Sequence, residues 1–341
     1  MRFRKENNIL PRERQHLQVA PLVPIRLGRL LGAGILVLAL LTTPSSVYPQ
    51  GKPKVLYQSV GLSPGVRYSR PLGIFYDKNR RECYVADTGN HQVVVCDDNG
   101  TAFYRFLHRI TDGDKPTLGE PTGLVVDRSG RIFLLDGAVE FIDVLDHRGR
   151  RIQKVFPPVY DGEDPLRFKA LALGPDEEVY AALSSSIHTV VVIDSALNIR
   201  REIVLDAPGS QDACISAIAV DDSSNIYITD PCATETMVQI YDANGKFLSG
   251  FGEHSAGLEN FSFPAGIVVL ANGNMWVLDT IRQIASCFSS DGEFITYIGG
   301  RGNQPGAFDF PSALTTDGFG LLFVLERAGC RYQCFRLPEN E

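Results

Sequence analysis

Five acidic residues recur at one register of this chain: Asp87, Asp136, Asp230, Asp279 and Glu326, with Leu183 where a sixth would stand. A ring of carboxylates offers hard oxygen ligands of the kind calcium takes. The recurrence itself favours a plainer role, in which each acid accepts backbone N–H groups across its own tight corner. The chain also carries six histidines. His16 lies near the N terminus and His147 in a hairpin turned away from the acids. His91 and His188 take matching places near the start of two strands, while His108 and His254 fall in long connections on the acids' side. Zinc chemistry needs three ligands converging on one point with a fourth position open, and His91 and His188 are the candidates for it. Arg70, Lys169, Arg282 and Arg327 share this side with Asp230, Asp279 and Glu326, and with Phe168, Phe263 and Phe310. Mixed charge beside aromatic rings suits contact with a protein or peptide. No serine sits in a nucleophile elbow, so no catalytic residue is assigned.

Seven cysteines are present without a CxxC pair, which leaves zinc-ribbon and c-type haem readings unsupported. Cys214 and Cys232 bracket two successive strands and end on the same side, which makes a disulfide geometrically sensible. Cys83 and Cys96 are a weaker pair on neighbouring strands. Cys96, Cys287 and Cys334 fall near one register and read as small buried hydrophobes; Cys330 is left over. The glycine-rich run Gly299–Gly306 lacks the following helix that phosphate binding needs, so it reads as a connecting loop.

These residues are positioned by a repeat. A small residue recurs at Gly73, Gly123, Ala170, Ala217, Gly266 and Ala313, at steps of 50, 47, 47, 49 and 47 residues. Ten or eleven residues later comes an aromatic: Tyr84, Phe133, Tyr180, Tyr227, Trp276 and Phe323. Two residues before the small position stands Pro71, Pro121, Pro264 or Pro311, replaced by Phe168 and Ile215 in the third and fourth copies. Each copy reads as short strands divided by turn residues such as Asp87-Thr88-Gly89-Asn90 and Asp97-Asp98-Asn99-Gly100. The first five copies each carry a fourth strand. The sixth lacks one, and the lone strand Lys54–Val60 is expected to supply it, which removes an exposed edge.

The first fifty residues differ in kind. A stretch rich in arginine and lysine leads to Leu30–Leu41, LLGAGILVLALL, and then to polar residues. This is the pattern of a secretory signal, with an uncleaved membrane tether through Leu30–Leu41 as the alternative; the run is shorter than the roughly 20 residues a spanning helix needs. Residues 1–50 are therefore set apart as a leader and 51–341 as the folded body, exported to the periplasm or cell exterior. A net charge of −7 argues against nucleic acid, which calls for a basic stripe.

The segments PLGIFYDKNRRECYVADTGNHQVVVCDDNG and FPAGIVVLANGNMWVLDT, with the linkers FGEHSAGLENFSFP and IGGRGNQPGAFDFP, resemble NHL repeats of the NHL/TolB-like kind. The resemblance spans roughly Pro53 to Leu337 and is thinnest in the third copy. It implies an all-β, six-bladed β-propeller of four-stranded antiparallel blades, with the N-terminal strand closing the last blade. It implies no single activity. A binding or assembly module without a cofactor is the first expectation. The rival is a metal-dependent hydrolase, lactonase or lyase using a divalent cation such as calcium or zinc at the tunnel mouth. Glu120, at an inner-strand entrance, is the residue that could begin a lactonase-type ligand set.

Overall fold

A computed structural model describes residues 51–338 apart from 63–65, 112–114, 161–164, 185–187 and 207–213. Leu30–Leu41 lies outside the described residues. Six sheets of four antiparallel strands each form the body. The innermost strands are Gly73–Asp77, Pro121–Val126, Phe168–Leu173, Ala217–Val220, Pro264–Val269 and Pro311–Thr316. From each of the first five, the chain meanders outward through three more strands before crossing to the next blade, and from the sixth through two.

The sixth blade is completed by the N-terminal strand. Lys54–Ser59 runs antiparallel to Arg331–Arg336, with Lys54 opposite Arg336 and Ser59 opposite Tyr332. Its register shifts between Val55 and Tyr57. The outermost strands of the other blades shift at the equivalent place, as between the partners of Val95 and Cys96 or of Val144 and Leu145. The borrowed strand thus reproduces the local bulge of the strands it imitates.

Apolar side chains fill the joints between blades, one cluster to each joint. Each recurring aromatic packs into the joint with the following blade: Tyr84 toward blade two, Phe133 toward three, Tyr180 toward four. Tyr227 packs toward five, Trp276 toward six and Phe323 back toward one. All six are buried, so Trp276 is core and no platform for a ligand. The strand alternation that puts the aromatic in one joint puts its neighbours in the other, which is how a blade buries both faces.

The prolines have a second use beyond starting a strand. Their carbonyls accept hydroxyl bonds from the preceding blade: Thr88 Oγ1 to Pro121 at 2.7 Å, Ser216 Oγ to Pro264 at 2.6 Å, Thr280 Oγ1 to Pro311 at 2.8 Å and Ser312 Oγ to Pro71 at 3.0 Å. Four joints are latched this way. Among the described residues no such bond reaches Phe168 or Ile215, the two positions that lack the proline.

The small residues do not all have the same reason. A Cβ added at Gly73 would lie 2.7 Å from the Gly123 Cα and the Thr122 carbonyl oxygen, both backbone atoms of the next inner strand. At Gly123 it would meet only the Leu135 side chain, at 3.5 Å. Gly73→Ala is therefore expected to cost about 1–3 kcal/mol through overpacking, while Gly123→Ala is neutral or stabilises by about 0.4–1 kcal/mol through the unfolded state. Thermal melts of the two variants side by side check this; equal melting temperatures would remove the crowding argument.

Candidate functional site

The end of the ring where each inner strand begins carries the acids and the residue preceding each proline or the Phe168 or Ile215 that replaces it. In chain order the preceding residues are Arg70, Glu120, Arg167, Cys214, Phe263 and Phe310. Four of these backbones are pinned. The carbonyls of Glu120, Arg167, Phe263 and Phe310 accept the N–H groups of Gly137, Ser184, Thr280 and Arg327 at 2.8, 2.8, 3.2 and 2.9 Å. Their side chains are outward: Phe263 is 43% exposed and Phe310 44%, and Arg70, Glu120 and Arg167 are exposed. Arg70 and Phe310 adopt the left-handed region, at φ 44° and 49°, an unfavourable choice for residues with a Cβ.

The mouth is unequal around its circumference. Blades five, six and one bring together Phe263, Phe310 and Arg70, and the turns behind them add Ile281, 60% exposed, and the exposed Arg327. Lys169 lies exposed at the entrance of the third inner strand, beside Arg167, which pairs with Glu140 at 3.6 Å. Among the described residues no carboxylate is within ion-pair distance of Arg70, Lys169 or Arg327. Arg282 is different. It is half-buried, and its guanidinium donates to the carbonyls of Gly257 and Asn260, closing its own loop.

The ring of acids faces inward, which corrects the expectation that Asp230, Asp279 and Glu326 contribute to an exposed face. They are 0%, 1% and 0% exposed. Asp279 accepts four backbone N–H groups, from Ser262, Phe263, Ile281 and Arg282, at 2.6–3.2 Å. Asp87 holds Ser69 N, Asn90 and Gln92. Glu326 accepts from Asp309 N, Gln333 and Arg331, the last an ion pair at 2.6 Å. A buried carboxylate needs such donors. Each acid is a corner fastener.

The proposed metal ligands do not converge. His91 Nδ1 lies 2.7 Å from the Gly119 carbonyl oxygen, which occupies that nitrogen. His188 is buried with Nε2 2.5 Å from Asp230 Oδ2. Glu120 is exposed at the mouth of blade two. Phe168 is core, and so are Phe261 and Phe308, buried two residues before their exposed counterparts Phe263 and Phe310. Cys214 and Cys232 form a disulfide. Cys83 and Cys96 stand opposite each other in register but remain free thiols. Burial lifts the Cys83 thiol well above its ordinary range, with the Cys96 thiol alongside adding to the rise.

One cluster escaped the reading of the sequence. His108, 2% exposed, lies between Asp136 and Asp143, with Nδ1 2.7 Å from one carboxylate and Nε2 3.0 Å from the other. Arg151 grips Asp143 through Nε at 2.6 Å and Nη2 at 2.5 Å. Burial pulls the His108 pKa down, but its bonds to Asp136 and Asp143 outweigh that and the net direction is upward. Burial likewise pushes Asp143 up, and Arg151 and His108 more than reverse it. Asp143 sits mid-strand between Ile142 and Val144, where an acid without partners would be untenable.

No family model and no curated protein matches the sequence. Solved structures match the fold. Virginiamycin B lyase from Staphylococcus aureus superposes at TM-score 0.56 with 13% identity, over 84% of this chain and all of that one. A gluconolactonase from Xanthomonas campestris gives 0.57 and 14%, over 86% and 97%. A protein of unknown function from Bacteroides thetaiotaomicron gives 0.58 and 14%, over 85% and 73%. At such identity the likeness is one of architecture, a six-bladed propeller.

Proposed function

We propose that this chain is an exported propeller of the NHL type that acts as a non-catalytic binding or assembly module. Its partner is a protein or peptide segment that carries carboxylates next to an apolar side chain. The observation that carries this reading is the mouth sector on blades five, six and one, where Phe263, Ile281 and Phe310 stand exposed beside Arg70 and Arg327. Aromatic and arginine side chains dominate the binding energy of protein contacts. Cations without internal partners are free to meet carboxylates, and their charge speeds encounter.

The rival reading, a metal-dependent hydrolase, lactonase or lyase, draws on the names of two structural neighbours. Against it, Asp87, Asp279 and Glu326 spend their oxygens on their own corners, His91 Nδ1 meets the Gly119 carbonyl, and Glu120 belongs to no ligand-type grouping among the described residues.

Selection from a random peptide library on the immobilised chain tests the proposal. Enriched sequences should pair acidic with apolar residues. Arg70→Glu, Arg327→Glu or Phe263→Ser should each weaken their binding more than tenfold. Lys246→Glu, at a hairpin on the other face, should leave it unchanged. Enrichment that ignores charge, or that survives all three mouth substitutions, overturns the reading. Turnover of lactones by the chain as isolated, with its disulfide intact, would favour the rival.

A further inference from the structure

The Cys214–Cys232 disulfide ties the entrance of the fourth inner strand to the corner turn of the same blade. Behind it lies Asp230. One of its carboxylate oxygens and the two sulfurs all lie within 4.8 Å of one another, a grouping of three ligand-type side chains unique among the described residues. Asp230 is held from two sides: Oδ1 accepts the Cys232 N–H at 2.9 Å, and Oδ2 lies 2.5 Å from His188 Nε2. The Asp230 and His188 side chains are 0% and 3% exposed. Cys214 is half-buried and Cys232 exposed, so the sulfurs are the part of this corner that solvent reaches.

We propose that this corner is a redox-gated site for a zinc-like divalent cation. In the oxidised chain the sulfurs are bonded to each other and the site is closed. A phosphine reductant supplies two electrons, the S–S bond breaks, and one water gives its two protons to form Cys214–SH and Cys232–SH and its oxygen to the phosphine, which leaves as the oxide. The cation then displaces those two protons to solvent and is held by two thiolates and the Asp230 carboxylate, with water in the fourth position. Two soft sulfurs and one oxygen suit zinc or cobalt over calcium or magnesium. His188 is the positioning residue, because an imidazole bonded to a ligating carboxylate fixes its orientation and basicity. The remaining cysteines offer no equivalent. Cys83, Cys96, Cys287 and Cys334 are buried, and Cys330 stands apart from any second ligand-type pair among the described residues.

This inference does not depend on the peptide-binding reading. Its test uses the full chain, reduced with tris(2-carboxyethyl)phosphine, which ends as its oxide, then desalted without oxygen and titrated with cobalt(II). The expected result is one equivalent of cobalt with a thiolate-to-cobalt charge-transfer band, displaced by zinc, and no band for the oxidised chain. Cys214→Ser and Cys232→Ser should abolish the band. Asp230→Asn and His188→Gln should weaken binding by about 10–100-fold, with circular dichroism confirming that each variant keeps its β fold. A reduced chain that takes up no cobalt overturns the proposal. So does a band of equal strength in the serine variants, unchanged affinity in Asp230→Asn, or a reduced chain that unfolds and is not restored by the cation.

Discussion

A chain that begins after residue 60 is expected to lose its cooperative melt and collect in the insoluble fraction. The missing strand, Lys54–Ser59, pairs along Arg331–Arg336. Gln58 Nε2 donates to Gln333 Oε1 at 3.0 Å, and Tyr57 packs edge-on against Tyr332 with ring centroids 6.2 Å apart. Each ladder bond contributes about 0.5–1.5 kcal/mol net. Five register pairs with their packing therefore rival the whole stability of a domain, about 5–15 kcal/mol. The uncovered Arg331–Arg336 edge, flanked by buried aromatic residues, would then recruit strands from other copies. Adding a synthetic peptide of residues 51–62 should restore solubility and the melt, which separates loss of the strand from loss of residues 1–50. A truncated chain that melts within a few degrees of the full chain would show that the ring closes without this strand.

The second large effect belongs to His108. His108→Ala leaves Asp136 and Asp143 buried, both with 0% side-chain exposure, and Arg151 reaches only one of them. Breaking a buried charged group's pairing costs about 3–5 kcal/mol. The double variant His108→Ala/Asp136→Asn should recover part of that loss. The pH dependence follows from the directions of the shifts. His108 is raised above its ordinary 6.5, so its contribution is complete below that value and is lost as pH rises through the folded pKa. Asp143 is lowered below its ordinary 3.8, so its contribution is complete above that value and is lost as pH falls through the folded pKa. The cluster therefore stabilises most between these two ordinary values. The gap in melting temperature between the wild type and His108→Ala should be widest near pH 5.5 and narrow toward pH 9. A gap that widens with pH would mean that the imidazole is not held in its charged form.

The architecture was readable because its signals are local and repeated. The registers of Pro121, Gly123, Phe133 and Asp136 recur from copy to copy, and the missing fourth strand of the last copy points to Lys54. The cluster around His108 was not readable this way. Its members are 28 and 35 residues apart, and only one blade holds it. The single cue was an acid between Ile142 and Val144, in a strand otherwise apolar. The acids were placed at the correct corner, yet residue type could not say whether they face water, and burial by the corner's own N–H groups turned them inward. The linker pair Phe261 and Phe308 was legible as core from its recurrence, and Phe263 and Phe310 as the outward pair, whereas Phe168, grouped with the latter, fills a joint instead.

The seam in the sixth blade is, in its geometry, a hairpin that lacks only its turn. Lys54 faces Arg336 as Ala102 faces Cys96, and in blade one the five residues Asp97-Asp98-Asn99-Gly100-Thr101 span that gap. A linker of the same length would weld the ends and leave a backbone with neither beginning nor finish. New termini could then be cut at any outer corner. Which blade counts as first is a fact about synthesis, and the folded object carries no memory of it.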